Sequence, residues 1–220
     1  AEENPSGMIT FARKKGVTEQ ALEKAGIIIA GKYGGSPRNR FGGRIIFPIF
    51  DQLGRVLGFG GRILSGDGAK YINSPETLLY RKSHILFGLF HARNHIKRSG
   101  TAVVVEGYMD VISLHQAGLR NVIAASGTSF TVEQARMISR MARNVILLFD
   151  GDSAGRSATV RGADNLLSTD MGIGIVTLPG DHDPDSFVRE KGTQELQNLI
   201  ENPIDIWEFK LRTLNGEYST

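Results

Sequence analysis

The 220-residue chain contains no cysteine, which removes disulfides, Cys-ligated zinc and thiol nucleophiles from its chemistry. No stretch approaches the ~18–20 consecutive apolar residues that a membrane-spanning helix needs, and no charged-then-apolar leader opens the sequence. A cytoplasmic, reducing setting without a membrane partner is therefore expected. Also missing are the G-x-x-x-x-G-K-[ST] loop of P-loop enzymes, the G-x-S-x-G elbow of α/β-hydrolases and any H-E-x-x-H metal pair. There is no internal repeat and no low-complexity run. With 40% hydrophobic and 22% charged residues, the composition is that of a folded chain that buries a genuine core. The 27 glycines follow no Gly-X-Y period, so they point to tight turns rather than to a fibre.

A net charge of +3 conceals a segregation. Residues 1–100 carry 16 Lys and Arg against 7 Asp and Glu, and residues 101–220 carry 10 against 16. A basic half followed by an acidic half fits a phosphate-rich polymer on one side and metal cations on the other.

The first half reads as mixed α and β. Short helical patterns cover Met8–Lys15 and Thr18–Ala25, with Thr18 as N-cap and Gly26 as the stop. Arg44–Phe50 and Arg55–Ile63 read as two strands joined by Asp51–Gly54, with Pro48 placing the first at an edge or a bulge. Apolar spacing then predicts one long helix over Glu76–Arg98, carrying His84, His91 and His95 on its surface. From Thr101 the pattern alternates. Strands at Val103–Val105, Val122–Ala125, Val145–Phe149 and Ile173–Leu178 alternate with helices at Asp110–Gln116, Thr131–Ala142 and Gly155–Leu167. Such alternation predicts an α/β fold with a parallel sheet covered on both faces. Ser186–Leu214 reads as all helical, and Ile204, Trp207, Leu211 and Leu214 form a face on which the single Trp packs in a core or interface.

Catalytic groups in parallel sheets gather at the carboxyl ends of strands. Glu106 ends the first strand of the alternating region, Asp150 ends the third with Asp152 two residues on, and Asp181, Asp183 and Asp185 follow the fourth. So many neighbouring acids repel one another unless cations neutralise them. Oxygen donors of this kind suit Mg²⁺ or Mn²⁺, and two such ions can serve the attacking and leaving oxygens of a phosphoryl transfer. An EF-hand beginning at Asp150 is excluded, because its fifth and twelfth positions are Ala154 and Arg161. A phosphatase with an aspartyl nucleophile would also use a strand ending in D-x-D, but leaves Glu106 and the basic half without a role. Ser126–Ser129 after the second strand offers either phosphate donors or an ordinary turn. In the basic half, Arg44, Arg62, Lys70, Arg81 and Lys82 supply phosphate ligands. Lys70-Tyr71-Ile72-Asn73-Ser74-Pro75 adds an aromatic and an amide.

Glu106-Gly-Tyr-Met-Asp110, followed by Leu148-Phe149-Asp150-Gly151-Asp152-Ser-Ala-Gly-Arg156, resembles the Toprim signature, a metal-binding module of primases, topoisomerases and some nucleases. Arg44–Asp51, Gly58–Arg62, Lys70–Glu76 and Asp183-Pro184-Asp185 are further similar to the catalytic core of bacterial replicative (DnaG-type) primases. That resemblance implies DNA-templated synthesis of short RNA primers from ribonucleoside triphosphates. It places Glu106, Asp110, Asp150, Asp152, Asp183 and Asp185 in an acidic metal cluster for Mg²⁺ or Mn²⁺, with Glu106, Asp150 and Asp152 catalytic. Arg44, Arg62, Lys70, Tyr71, Asn73 and Lys82 would contact nucleotide or nucleic acid. Implied partners are a single-stranded DNA template, the RNA–DNA hybrid and NTPs. For the full-length protein they also include the replicative helicase and single-strand-binding protein at the replication fork. Expected is a monomeric core fragment, without the family's zinc-binding and helicase-binding domains. Its parts would be a basic N-terminal subdomain (1–100), a Toprim domain (101–192) and a C-terminal helical segment (193–220). A Toprim nuclease or topoisomerase-like domain is the alternative, and a non-catalytic nucleic-acid scaffold a third reading.

Overall fold

Thr18 accepts a hydrogen bond from Ala21 N at 3.2 Å, and this cap starts the second of two short helices, α1 (Ser6–Lys14) and α2 (Glu19–Lys24). Their Ala12 and Leu22 close over Ile28 in strand β1 (Ile28–Ile29), which pairs antiparallel with β2 (Arg38–Asn39). The expected hairpin follows: β3 (Arg44–Phe50) runs antiparallel to β4 (Val56–Ile63). Its turn is held by Asp51, whose Oδ1 accepts from Leu53 N at 2.8 Å and Arg55 N at 2.9 Å. Pro48, with no N–H to give, lies in the edge strand of the β3–β4–β5 sheet, one residue from a register shift at Ile49/Phe50. β5 (Tyr71–Asn73) pairs on the other side of β4. The computed structural model describes residues 1, 4–31, 35–125, 130–150, 163–180 and 182–215. Its contacts divide the chain into two units, Ala1–Arg81 and Lys82–Thr220.

The long helix expected over Glu76–Arg98 does not form. Thr77 Oγ1 accepts from Leu79 N at 3.2 Å and from Tyr80 N at 2.9 Å, closing a tight turn that leaves Leu78 and Leu79 in solvent and Tyr80 buried. A short 3₁₀ turn occupies Lys82–His84, and only α3 (Leu89–Ser99) is α-helical. Gly88 separates them with φ at 82°, a left-handed conformation that glycine adopts without strain. A Cβ there would lie 2.8 Å from Val111 Cγ1. The spacing of apolar residues was helical, but local side-chain hydrogen bonds won.

The second unit is the α/β fold read from the alternation. A five-stranded sheet has the order β10–β9–β8–β6–β7, with β6 (Thr101–Val105), β7 (Val122–Ala124), β8 (Asn144–Phe149) and β9 (Gly172–Thr177) all parallel. Successive β6 residues serve opposite faces. Ala102 and Val104 join a core with α3, α5 (Val132–Ser139) and the helical residues 163–166 (α6). Val103 and Val105 join a second core with α4 (Tyr108–Gln116), α7 (Pro184–Lys191) and α8 (Thr193–Glu201). Helix α3, read from sequence as part of the first subdomain, buries Leu89, Ala92 and Ile96 in this unit's core.

The C-terminal stretch is not all helical. Strand β10 (Ile204–Asp205) pairs antiparallel with β9 before α9 (Ile206–Leu214) begins. That pairing sets the phase of the helix, turning Ile206 and Phe209 into the core at 3% and 1% exposure. Trp207, Leu211 and Leu214 face solvent at 62%, 61% and 84% exposure, so the single Trp is not part of this chain's core. Among the described residues no helix is long and apolar enough to cross a membrane.

Candidate active site in the α/β unit

Chain order reverses in the sheet between β6 and β8. After β6 the chain passes through α4 to β7 on one side, and after β8 it returns to β9 on the other. In open α/β sheets the crevice beyond the carboxyl ends at such a reversal is where ligands bind. Glu106 and Asp150 stand there. Val104 is registered against Leu147, so the two strands end side by side, each delivering one acid. Glu106 Oε1 and Asp150 Oδ1 are both shielded from solvent.

Three further expected acids gather where α4 packs on α7. Asp110 lies in the first turn of α4 and accepts from Gly107 N at 2.9 Å. Glycine permits this approach, since a Cβ on Gly107 would sit 3.0 Å from Asp110 Oδ2. Asp183 is the N-cap of α7, accepting from Ser186 N at 2.7 Å. Asp185 accepts from Ser113 Oγ of α4 and pairs with Arg189. Burial, together with the charges of Asp183 and Asp185, pushes the Asp110 carboxyl up to about 6, against the opposing pull of the Gly107 N–H. His182 stacks edge-on against Phe187 with centroids 5.7 Å apart and approaches Glu190 at 3.8 Å, a packing role rather than one among the acids.

The chemistry of this donor set fits a hard divalent cation. Every side chain offered is a carboxylate, and Asp110 is held above its ordinary range by burial and like charge, which a bound cation relieves. Among the described residues, however, no three His, Asp or Glu side chains form a group close enough to hold an ion. Asp152, Asp181, Arg156, the Ser126–Ser129 segment and most of the expected Gly155–Leu167 helix lie outside the described residues.

In the first unit the β3–β4–β5 sheet sorts the expected cations by face. Arg62 is registered against Tyr71 and Gly60 against Asn73, so Arg62, Tyr71 and Asn73 share one face, with the Arg62 guanidinium 5.7 Å from the Tyr71 ring centroid. Arg44, registered against Ile63, belongs to the opposite face and donates to the carbonyls of Gly61 at 3.3 Å and Ala69 at 2.9 Å. Lys70 is exposed, and its carbonyl accepts from Ile63 N at 3.0 Å. Lys82 belongs to the second unit, in the 3₁₀ turn.

That turn is held by a residue the sequence reading passed over. Gln134 has no exposed surface, and its Nε2 donates to the carbonyls of Lys82 at 3.2 Å and Ile85 at 2.7 Å. Its Oε1 accepts from Thr131 N at 2.9 Å, and Thr131 Oγ1 donates to Ser83 O at 2.7 Å. The readable signal is the Thr131-x-x-Gln134 capping box; its reach back to Lys82 is tertiary.

Residues 1–93 match the family described as DNA primase catalytic core, N-terminal domain, and residues 103–188 match the Toprim-like family. The chain is 42% identical over 205 residues to the DNA primase of Clostridium acetobutylicum, covering 93% of this chain but 34% of that protein. The Aquifex aeolicus primase structure, with zinc-binding and RNA polymerase domains, superposes with a TM-score of 0.90 at 36% identity, over 98% of this chain and 54% of that one. The RNA polymerase domain of Mycobacterium tuberculosis primase DnaG, in complex with a double-stranded DNA oligomer with a 6-nucleotide overhang, has a TM-score of 0.85 and 34% identity. The match covers 99% of this chain and 70% of that one. With both of its units matched in this way, the chain belongs to the DnaG family of DNA primases.

Proposed function

We propose that this chain carries the primer-synthesising chemistry of its family: template-directed joining of ribonucleotides on single-stranded DNA, dependent on Mg²⁺ or Mn²⁺. The observation that carries the reading is the pair of acids, Glu106 and Asp150, at the sheet's order reversal in a chain of this family. The relative bound to a DNA duplex with a 6-nucleotide overhang supports single-stranded DNA as a ligand, and the RNA–DNA hybrid follows as the product of the proposed reaction. For longer family members the reading extends to the replicative helicase and single-strand-binding protein, at the replication fork in the bacterial cytoplasm.

In this reading a primer 3′-hydroxyl attacks the α-phosphorus of an incoming ribonucleoside triphosphate. A new O–P bond forms, the bond from the α-phosphorus to the α–β bridging oxygen breaks, the hydroxyl proton passes to water and pyrophosphate leaves. Glu106, Asp150 and Asp152 would hold the divalent ions, which neutralise charge on the attacking and leaving oxygens when bound. Asp110, Asp183 and Asp185 would add outer negative charge that favours cation binding. The chain's own part is positional: β6 and β8 fix Glu106 and Asp150 on rigid strand ends, and loss of water around their shielded oxygens strengthens each contact. Arg62, Tyr71, Asn73, Lys70, Arg44 and Lys82 would bind the triphosphate and the nucleic-acid backbone.

The test is Asp150→Asn, assayed for primer synthesis on single-stranded DNA with Mg²⁺ or Mn²⁺. Synthesis should fall by at least about two orders of magnitude with the melting temperature retained. Unchanged synthesis in a folded variant would remove Asp150 from the site. Metal-dependent cleavage of DNA without nucleotides would instead favour a nuclease.

A further inference from the structure

The amino ends of the parallel strands, opposite the crevice of Glu106 and Asp150, hold a second opening that the proposed reaction does not use. A cavity of about 700 Å³ lies there, within the range of roughly 300–1,000 Å³ found for small-molecule sites. Thr101 and Asn144 line it and begin β6 and β8, whereas Glu106 and Asp150 follow the last residues of those strands. At about 3.3 Å per residue, the strands set the two openings roughly 17–20 Å apart.

The cavity exists because β9 carries glycine on this face. Val176 joins the core that α8 covers, so alternation puts Gly172 and Gly174 on the same side. Neither has a side chain to fill the space. Close neighbours hold both positions to glycine: a Cβ on Gly174 would lie 2.7 Å from Pro203 Cβ, and one on Gly172 would lie 2.5 Å from Asn144 Oδ1. Leu119, Ile146, Ile200 and Pro203 supply the apolar wall.

The charge on the lining has one sign. Glu201 and Asp205 are its charged residues, both exposed, and no Lys, Arg or His lines it. Arg120 and Arg143, next in sequence to lining residues, are exposed and outside the lining. Glu201 ends α8, whose last turn holds no basic residue, so the negative end of that helix adds to the carboxylates. Asp205 is fixed at the edge by accepting from Trp207 N at 2.8 Å. Asn121 Nδ2 donates to Thr101 O at 3.0 Å, which leaves its Oδ1 to accept from a ligand. An acceptor-rich, negative mouth over an apolar wall disfavours phosphates and carboxylates. It matches ammonium groups carried on a hydrocarbon chain.

We propose that this cavity binds an aliphatic polyamine, its methylenes against Ile146, Ile200 and Pro203 and its ammonium groups on Glu201, Asp205 and the Asn121 amide oxygen. The site is separate from the crevice of the proposed reaction and does not depend on that reading.

The test is calorimetric titration of spermidine into the chain at neutral pH and moderate salt. One molecule should bind per chain. Glu201→Gln and Asp205→Asn should each weaken binding about fivefold, the effect of an exposed ion pair worth about 1 kcal/mol. Asparagine still caps α9, so the melting temperature should hold. Gln197→Trp, which fills the cavity without changing its charge, should weaken binding by at least about tenfold. Glu195→Gln, an exposed acid in the first turn of α8 and outside the lining, should change nothing. The proposal is overturned if spermidine does not bind, or if Glu195→Gln weakens it as much as Glu201→Gln, which marks diffuse attraction to an acidic surface. It also falls if a tetralysine peptide binds where spermidine does not, since the occupant is then a basic polypeptide. Primer synthesis is not among the readouts, so either result leaves the proposed function where it stands.

Discussion

The raised carboxyl of Asp110 makes a quantitative demand on stability. Its value moves from 3.8 to about 6, with burial as the largest cause, helped by Asp183 and Asp185. A carboxyl whose folded value lies above its unfolded one favours the fold while protonated. That contribution is complete below about pH 4, drains away as pH rises through about 6, and leaves the charged group as a burden at neutral pH. A rise of this size corresponds to about 3 kcal/mol, since each tenfold change in proton affinity is worth about 1.4 kcal/mol. Asp110→Asn lifts the burden, and the Gly107 N–H bond to the charged carboxyl is already counted within that net rise. The variant should therefore be about 3 kcal/mol more stable than wild type at pH 8 in EDTA. The advantage should shrink towards zero by pH 4, as read by urea denaturation followed by circular dichroism. Adding Mg²⁺ should stabilise wild type more than the variant. A difference that does not change with pH, or a variant less stable at pH 8, would refute the account of Asp110 as a carboxylate under electrostatic load.

Gln134→Leu should destabilise the chain by about 2–4 kcal/mol, since it strands the carbonyls of Lys82 and Ile85 and the Thr131 N–H. It should also lower affinity for single-stranded DNA; a fully stable variant would show that these bonds are not the ones holding the turn. In α9, Phe209→Ala should cost about 3–5 kcal/mol, while Trp207→Ala should stay within about 0.5 kcal/mol in denaturant titrations. The reverse order would show that the exposed and buried faces of the helix have been exchanged.

What could be read from sequence follows from the range of the forces involved. The four parallel strands were legible because burial on both faces demands continuous apolar runs such as Val103-Val104-Val105, which few other structures need. The hairpin was legible because Asp51 and Gly54 are local turn chemistry. Residues 76–88 were not, because Leu78 and Leu79 mimic a helical face while the deciding interactions are the Thr77 side chain and the close approach of Gly88 to Val111. The core half of the Trp207 reading failed for a related reason. Apolar spacing identifies a face but not which face the sheet takes, and the two-residue strand β10, too short to be read, decides that. The division of Arg44 from Arg62 depends on strand register, to which residue type is blind.

The same distinction sorts the acids. Sequence spacing treats all of them as equivalent ligands, but the structure gives three a second occupation. Asp110 and Asp183 sit at the starts of α4 and α7, where a helix's positive end offsets part of the cost of a carboxylate. Asp185 is neutralised by Arg189 and bound by Ser113. Each can persist without a cation because the fold supplies positive charge or N–H donors of its own. Glu106 and Asp150 have a different placement, on the ends of adjacent strands at the sheet's reversal. A fold that wanted only stability would have no reason to put carboxylates with shielded oxygens at that crevice. In the proposed reading, the catalytic assignment therefore falls first on this pair. In that reading Asp110, Asp183 and Asp185 would tune how strongly the pocket attracts a cation.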